Sequence, residues 1–224
     1  MQLTTTDFLR QRFNSAQALA KTKGRSAESS FLRVDAIPTA GSGQLSFDIA
    51  ARNGANPGER KLSINDTFVV SGIGLYVATG ITAKPGTEKL ETYPVALGAS
   101  AVASPSDWFA IYNGFISVKT TQTVNFEAIA ARTFLHIPQT QPVNVLNSLD
   151  APINAGLIPE YDALESLWYP PEEVTFDGSN TPEITLTFPG NAAASYASLD
   201  AVNNNSKLSL MFFGYLIKGV SGLA

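Results

Sequence analysis

Lys207-Leu-Ser-Leu-Met-Phe-Phe-Gly-Tyr-Leu-Ile-Lys218, close to the end of the chain, is the stretch whose reading decides the fold. Nine of the ten residues between the two lysines are apolar or glycine, and Ser209 is the only polar one. A strand wet on one face alternates apolar with polar residues, whereas a strand apolar throughout is covered on both faces. A buried helix is the rival at this length. Asn203-Asn204-Asn205 before the run and Gly219 after it are turn signals, and Phe212, Phe213 and Tyr215 suit a pleated surface. The segment is therefore expected to be a central strand, with one face on the core and the other on more protein.

Outward from it, most of the chain reads with a period of two. Ile184-Thr-Leu-Thr-Phe188 alternates until Pro189-Gly190, and Val174-Thr-Phe176 leads into the turn Asp177-Gly-Ser-Asn180. A second hairpin is expected next, one strand carrying Val124, Phe126 and Ala128 in alternation with polar partners and the other, Phe134-Leu-His-Ile137, closing it before Pro138. Trp108–Tyr112 and Phe115–Lys119 flank Asn113-Gly114, the strongest hairpin signal in the chain. Tyr93–Leu97 reads as an edge strand because of Pro94. The stretch from Ile64 to Thr79 is too long and too glycine-marked for one flat strand, which predicts a bend or bulge at Gly72 or Gly74. Gln44–Ala50 and Leu32–Ile37 alternate cleanly.

Two regions break the pattern. Residues 138–172 carry Pro138, Pro142, Pro152, Pro159, Pro170 and Pro171 with little periodicity, and only Tyr161–Leu167 suits a short helix. An excursion of that length inside a compact domain is functional or interface-forming. At the other end, Leu9, Phe13, Ala16 and Ala20 share one face of a helix predicted over about 6–22. Thr4–Thr6 offer N-caps, and Lys21, Lys23 and Arg25 complement the C-terminal dipole before or beside Gly24. Standing ahead of every strand, this helix reads as an arm. The chain is thus expected to be all-β, a single jelly-roll-type β-sandwich of about 8–10 strands over residues 28–224 with a helical arm over 1–27, because uneven loops favour two packed sheets over a closed barrel.

Composition fits that picture. The 224 residues are 44% hydrophobic and only 15% charged, the balance of a globular chain whose surface either is buried in part against partners or is rich in Ser, Thr and Asn, as this one is. Cysteine is absent, which excludes a disulfide framework and thiol chemistry. No apolar stretch suits a secretory leader or a spanning helix, so neither is expected. The net charge of −4 is unevenly spread. Residues 1–25 hold Arg10, Arg12, Lys21, Lys23 and Arg25 against Asp7 alone, leaving ten basic and eighteen acidic side chains for the rest. A basic arm on an acidic body can touch nucleic acid, another anionic surface, or the acidic body of a neighbouring copy, and a solvated amphipathic helix accounts for it equally well.

Catalytic chemistry is poorly supported. The single histidine, His136, is the only base available to a Ser-His-Asp arrangement, and Gly-x-Ser-x-Gly is missing. One histidine and no cysteine make a zinc or copper site improbable, and no metal or cofactor is expected. Glu160, Asp162, Glu165, Glu172 and Glu173 accompany Tyr161, Trp168 and Tyr169 in the excursion. That set suits a glycan-binding cleft, a carboxylate-based glycosidase, a loop calcium site, or simply a solvated loop whose aromatics pack on the sandwich or on a neighbour, which is the favoured expectation because no spacing here is diagnostic.

The basic helical arm, the cysteine-free sandwich and the proline-rich excursion together resemble viral jelly-roll capsid proteins. Ile111-Tyr-Asn-Gly-Phe-Ile-Ser-Val118, Phe134-Leu-His-Ile-Pro-Gln-Thr-Gln141 and Phe212-Phe-Gly-Tyr-Leu-Ile-Lys218 are similar to segments of structural proteins from tailless bacteriophages. The resemblance implies a virion subunit, made in the host cytoplasm, that assembles with copies of itself into pentamers, hexamers or trimers and with other virion proteins. It implies no catalytic residues. Its arm would face the genome as non-specific nucleic acid, face an internal membrane, or clasp a neighbour. The competing expectation is a carbohydrate-binding or adhesion module built on Tyr161, Trp168 and Tyr169.

Overall fold

The computed structural model describes residues 5–37, 43–50, 58–79, 89–92, 111–120, 123–135, 140–142, 157–159, 167–180, 182–188 and 207–219. In order, these form the helix α1 (Thr5–Lys21) and the strands β1 (Ala27–Ala36), β2 (Gln44–Phe47), β3 (Thr67–Thr79), β4 (Lys89–Glu91), β5 (Phe115–Thr120) and β6 (Thr123–Ala130). A 3-10 turn (Ala131–Phe134) follows, then β7 (Thr140–Pro142), β8 (Leu157–Pro159), β9 (Val174–Asp177), β10 (Glu183–Thr187) and β11 (Lys207–Ile217).

β11 is the central strand that its composition predicts, hydrogen-bonded along its length between β1 and β3. The first sheet runs β1-β11-β3-β4, with β9 also on β3, and the second runs β2-β10-β5-β6. Every pairing between the described strands of these two sheets is antiparallel. Leu32, Val34, Phe68 and Phe212 of the first sheet and Phe47, Ile116, Val118 and Ile184 of the second belong to one buried cluster, so the sheets pack face to face. Phe212 meets Phe176 edge-on within it, with ring centroids 5.0 Å apart. β7 and β8 make a separate two-stranded ribbon inside the proline-rich excursion.

β3 carries the expected irregularity. Phe213 pairs with Gly72 and Gly214 with Val70, which leaves Ser71 as the extra residue. The bulge moves the core-facing set from Phe68 and Val70 to Ile73, Leu75 and Val77, a change of phase that keeps both halves of the strand inward. Ser71 Oγ donates to Phe213 O at 3.0 Å across the irregularity.

Four expectations need correction. α1 is placed and bounded nearly as its period predicts, yet it is not a free arm. It lies on the outer face of the first sheet, with Ala16 and Ala20 wholly buried against Val69, Ile217 and Ala27. Two alanines let the helix approach the strands closely, and Gln17 Nε2 donates to Ala27 O at 3.1 Å. The helix ends where Gly24 takes a φ of 66°, with Gly24 N donating to Lys21 O and Arg25 N to Ala20 O. Secondly, Asn113-Gly114 does not close a hairpin. Ile111 and Tyr112 lie in a helical turn, and the hairpin actually formed joins β5 to β6. Thirdly, Phe134 stands in the 3-10 turn, not in a strand. Finally, eleven strands are described where about 8–10 were expected, the surplus being the three-residue β4, β7 and β8. The predicted edge strand over 93–97, His136, and all of the helix over 161–167 except Leu167, which is not helical, lie outside the described residues.

The reason for the lost hairpin is Tyr112. It is buried, and its hydroxyl donates to Leu75 O on β3 at 3.0 Å. Burial, and secondarily the neighbouring Tyr76, raise its phenol far above the ordinary tyrosine range. A raised folded-state value means stability that is fully present below about pH 10 and is lost as pH climbs above it. Tyr112→Phe is expected to cost ~1 kcal/mol at neutral pH and to flatten the alkaline limb of stability. Denaturant midpoints of both proteins between neutral and alkaline pH check it. Tyr215, raised by its own burial, leaves a residual slope.

Candidate interaction surface

The outer face of the first sheet collects most of the side chains that sequence reasoning singled out. Of the five basic residues, Arg12 is taken by the fold: Nη2 donates to Pro170 O and Pro171 O, both at 3.0 Å, and Nη1 pairs with Glu173 at 3.4 Å. Its guanidinium also stands over the Phe8 ring, 4.8 Å from the centroid. Ser15 Oγ donates to the same Glu173 carboxylate at 2.6 Å. Arg10, Lys21, Lys23 and Arg25 are exposed, and none pairs with a described carboxylate.

The aromatic set of the excursion divides. The Trp168 backbone joins β3, exchanging two 2.8 Å hydrogen bonds with Ile73. Its indole packs on the core side, edge-on to Phe126 and Phe134 at 5.4 and 5.9 Å. Tyr169 points the other way, beside Gly72, and meets Phe8 of α1 edge-on at 5.7 Å. The two rings lie on opposite sides of the strand and build no common platform. Tyr161, Glu160, Asp162 and Glu165 lie outside the described residues, while Glu172 is exposed.

Two features escaped the sequence. The first is a row of rings across the outer face beside α1. Phe13 lies 5.3 Å from Tyr215, which shares its face of β11 with Phe213, and Phe213 lies 6.4 Å from Phe31 of β1. Arg60 caps the row, 5.0 Å above the Phe31 ring. Phe13 and Phe31 remain 40% and 37% exposed, high for such rings. A period-two count carried one residue further back from Leu32 would have put Phe31 on that face.

The second is a charge cluster at the other end of the same face. The Asp35 carboxylate receives Arg33 Nε at 3.0 Å and Nη2 at 3.1 Å, Lys207 Nζ at 2.7 Å and the Ser209 hydroxyl at 2.5 Å. Only 2% of the Asp35 side chain is exposed, so two cations are what make its burial tolerable. Asp35 N donates to Glu59 Oε1, and Arg33 and Arg60 exchange backbone hydrogen bonds, which covers part of the free edge of β1. Ser209, the one polar residue of the deciding stretch, is explained by this carboxylate.

Among the described residues, no group of three or more His, Cys, Asp or Glu side chains is placed to hold a metal ion. No helix among them is long and apolar enough to cross a membrane. Comparisons with protein-family models, with curated proteins and with solved structures gave no match.

Proposed function

We propose that this chain is a structural virion protein, a capsid subunit whose sandwich is a jelly roll and which self-assembles into a shell. The observation that carries the reading is the nesting of strand pairs. β1 pairs with β11, β2 with β10, β3 with β9 and β5 with β6, each pair enclosed in sequence by the one before. In a jelly roll, pairs nested in this way are rungs of one long antiparallel hairpin, and here successive pairs fall alternately in the two sheets, which supports that reading. Two interleaved Greek keys of this kind are found in viral capsid domains, lectins and cupins. The step from that fold to a function is an analogy and needs site chemistry to narrow it.

Site chemistry narrows it in one direction. A metal-dependent cupin needs several histidines, and this chain has one. A lectin reading wanted Trp168 and Tyr169 on one open platform, and they serve the core and the helix instead. A subunit of a shell needs only surface, and the half-open rings beside an exposed basic helix supply it.

The test is the mass and shape of the purified full-length protein, by light scattering and negative-stain microscopy over a wide concentration range. Rings, capsomer-sized oligomers or shells are expected. A monodisperse monomer at every concentration overturns the reading. The full-length chain is required, because removing residues 1–25 would strip Ala16 and Ala20 from Val69 and Ile217 and alter the fold itself.

A further inference from the structure

We infer that the α1 side of the first sheet is the surface on which a second copy of this chain docks, and that the second copy presents exposed carboxylates to it, Glu172 and Glu183 among them. The inference rests on the capsid reading and assigns a surface to it. Charge complementarity chooses the occupant. Residues 133–206 contain no lysine or arginine and nine carboxylates, while residues 1–25 carry five cations and one carboxylate. The chain already joins these two regions once within itself, where Glu173 holds Arg12 and Ser15. Arg10, Lys21, Lys23 and Arg25 remain exposed on the same helix or just beyond its end, and Glu172 and Glu183 are exposed carboxylates of the acidic stretch.

The apolar part of the surface agrees. Phe13 and Phe31 stand 40% and 37% exposed beside the basic residues, with Phe213 half-buried between them. Aromatic anchors inside a charged rim are the usual anatomy of a protein interface. Single-stranded nucleic acid is the other polyanion that would suit cations beside open rings, and it is the alternative that the experiment separates.

The experiment uses full-length protein with Lys21, Lys23 and Arg25 all replaced by Glu, alone and mixed with a Glu172→Lys/Glu183→Lys chain. Sedimentation follows the concentration at which oligomers form. The charge-reversed chain is expected to need a concentration higher by about tenfold or more, and wild-type assembly to weaken as salt rises. The mixture of the two reversed chains is expected to recover association that neither shows alone. Phe31→Ser, at an exposed position, is expected to weaken assembly without changing the salt dependence. A charge-reversed chain that assembles like wild type overturns this surface and leaves the capsid reading intact. So does normal assembly combined with lost binding of a fluorescent single-stranded oligonucleotide, which hands the face to nucleic acid. Wild-type protein that never assembles removes the capsid reading, and this surface with it.

Discussion

Gly214→Ala is expected to destabilise the protein by ~3 kcal/mol or more, a large share of the roughly 5–15 kcal/mol that holds a domain folded. A Cβ on Gly214 would lie 2.0 Å from Val69 O, 3.0 Å from Val69 C and 3.1 Å from Phe68 Cε1. Two of these three atoms are backbone, so no rotamer change relieves the clash. Nor can the strand retreat. Gly214 is paired with Ser30 on one side and Val70 on the other, beside the register shift that leaves Ser71 unpaired. Gly43→Ala is the control, since nothing stands within 4 Å of its Cβ. It is expected to be neutral or slightly stabilising, through the unfolded chain. Guanidinium midpoints followed by circular dichroism measure both. A Gly214→Ala protein as stable as wild type would mean that β11 and β3 do not approach as described.

That glycine marks the boundary of what the sequence reveals. A run with a single polar residue announces a strand buried on both sides, and β11 is one. What covers its second face is a matter of distant sequence, and the cover at Tyr215 and Ile217 is α1 of the same chain. Helical period identified α1 but not its docking, because the residues that dock it are Ala16, Ala20 and Arg12, weak or contrary hydrophobic signals. The bulge in β3 was legible to within one residue because glycine tolerates the irregular backbone beside it. Asn113-Gly114 misled because a turn signal is local, while the burial of Tyr112 under Leu75 O is not. Strand order is the least local property of all. Nested pairing brings residues 27 and 217 together, and no window of sequence contains that fact.

Arg12→Ala is the second substitution with a large expected effect, and it tests what kind of element α1 is. The guanidinium donates to two carbonyls, Pro170 O and Pro171 O, and reaches Glu173. Alanine leaves those carbonyls without their donor beneath the helix, at a cost of ~3 kcal/mol. Arg12→Lys is expected to rescue little, since one ammonium cannot reproduce a planar fork serving three acceptors. Glu173→Gln is expected to cost less than ~1 kcal/mol, because the Glu173 side chain is 36% exposed and solvent screens the pair. The decisive readout is where the loss falls. Amide exchange in α1 is expected to accelerate well beyond that in β11, because the helix is joined to the sheet by one short segment and opens as a unit. Unchanged protection of α1 in Arg12→Ala would mean that the clasp does not hold the helix, and α1 would again have to be treated as an arm. Released protection with the sandwich intact would make Arg12 the residue that keeps the helix on its own subunit.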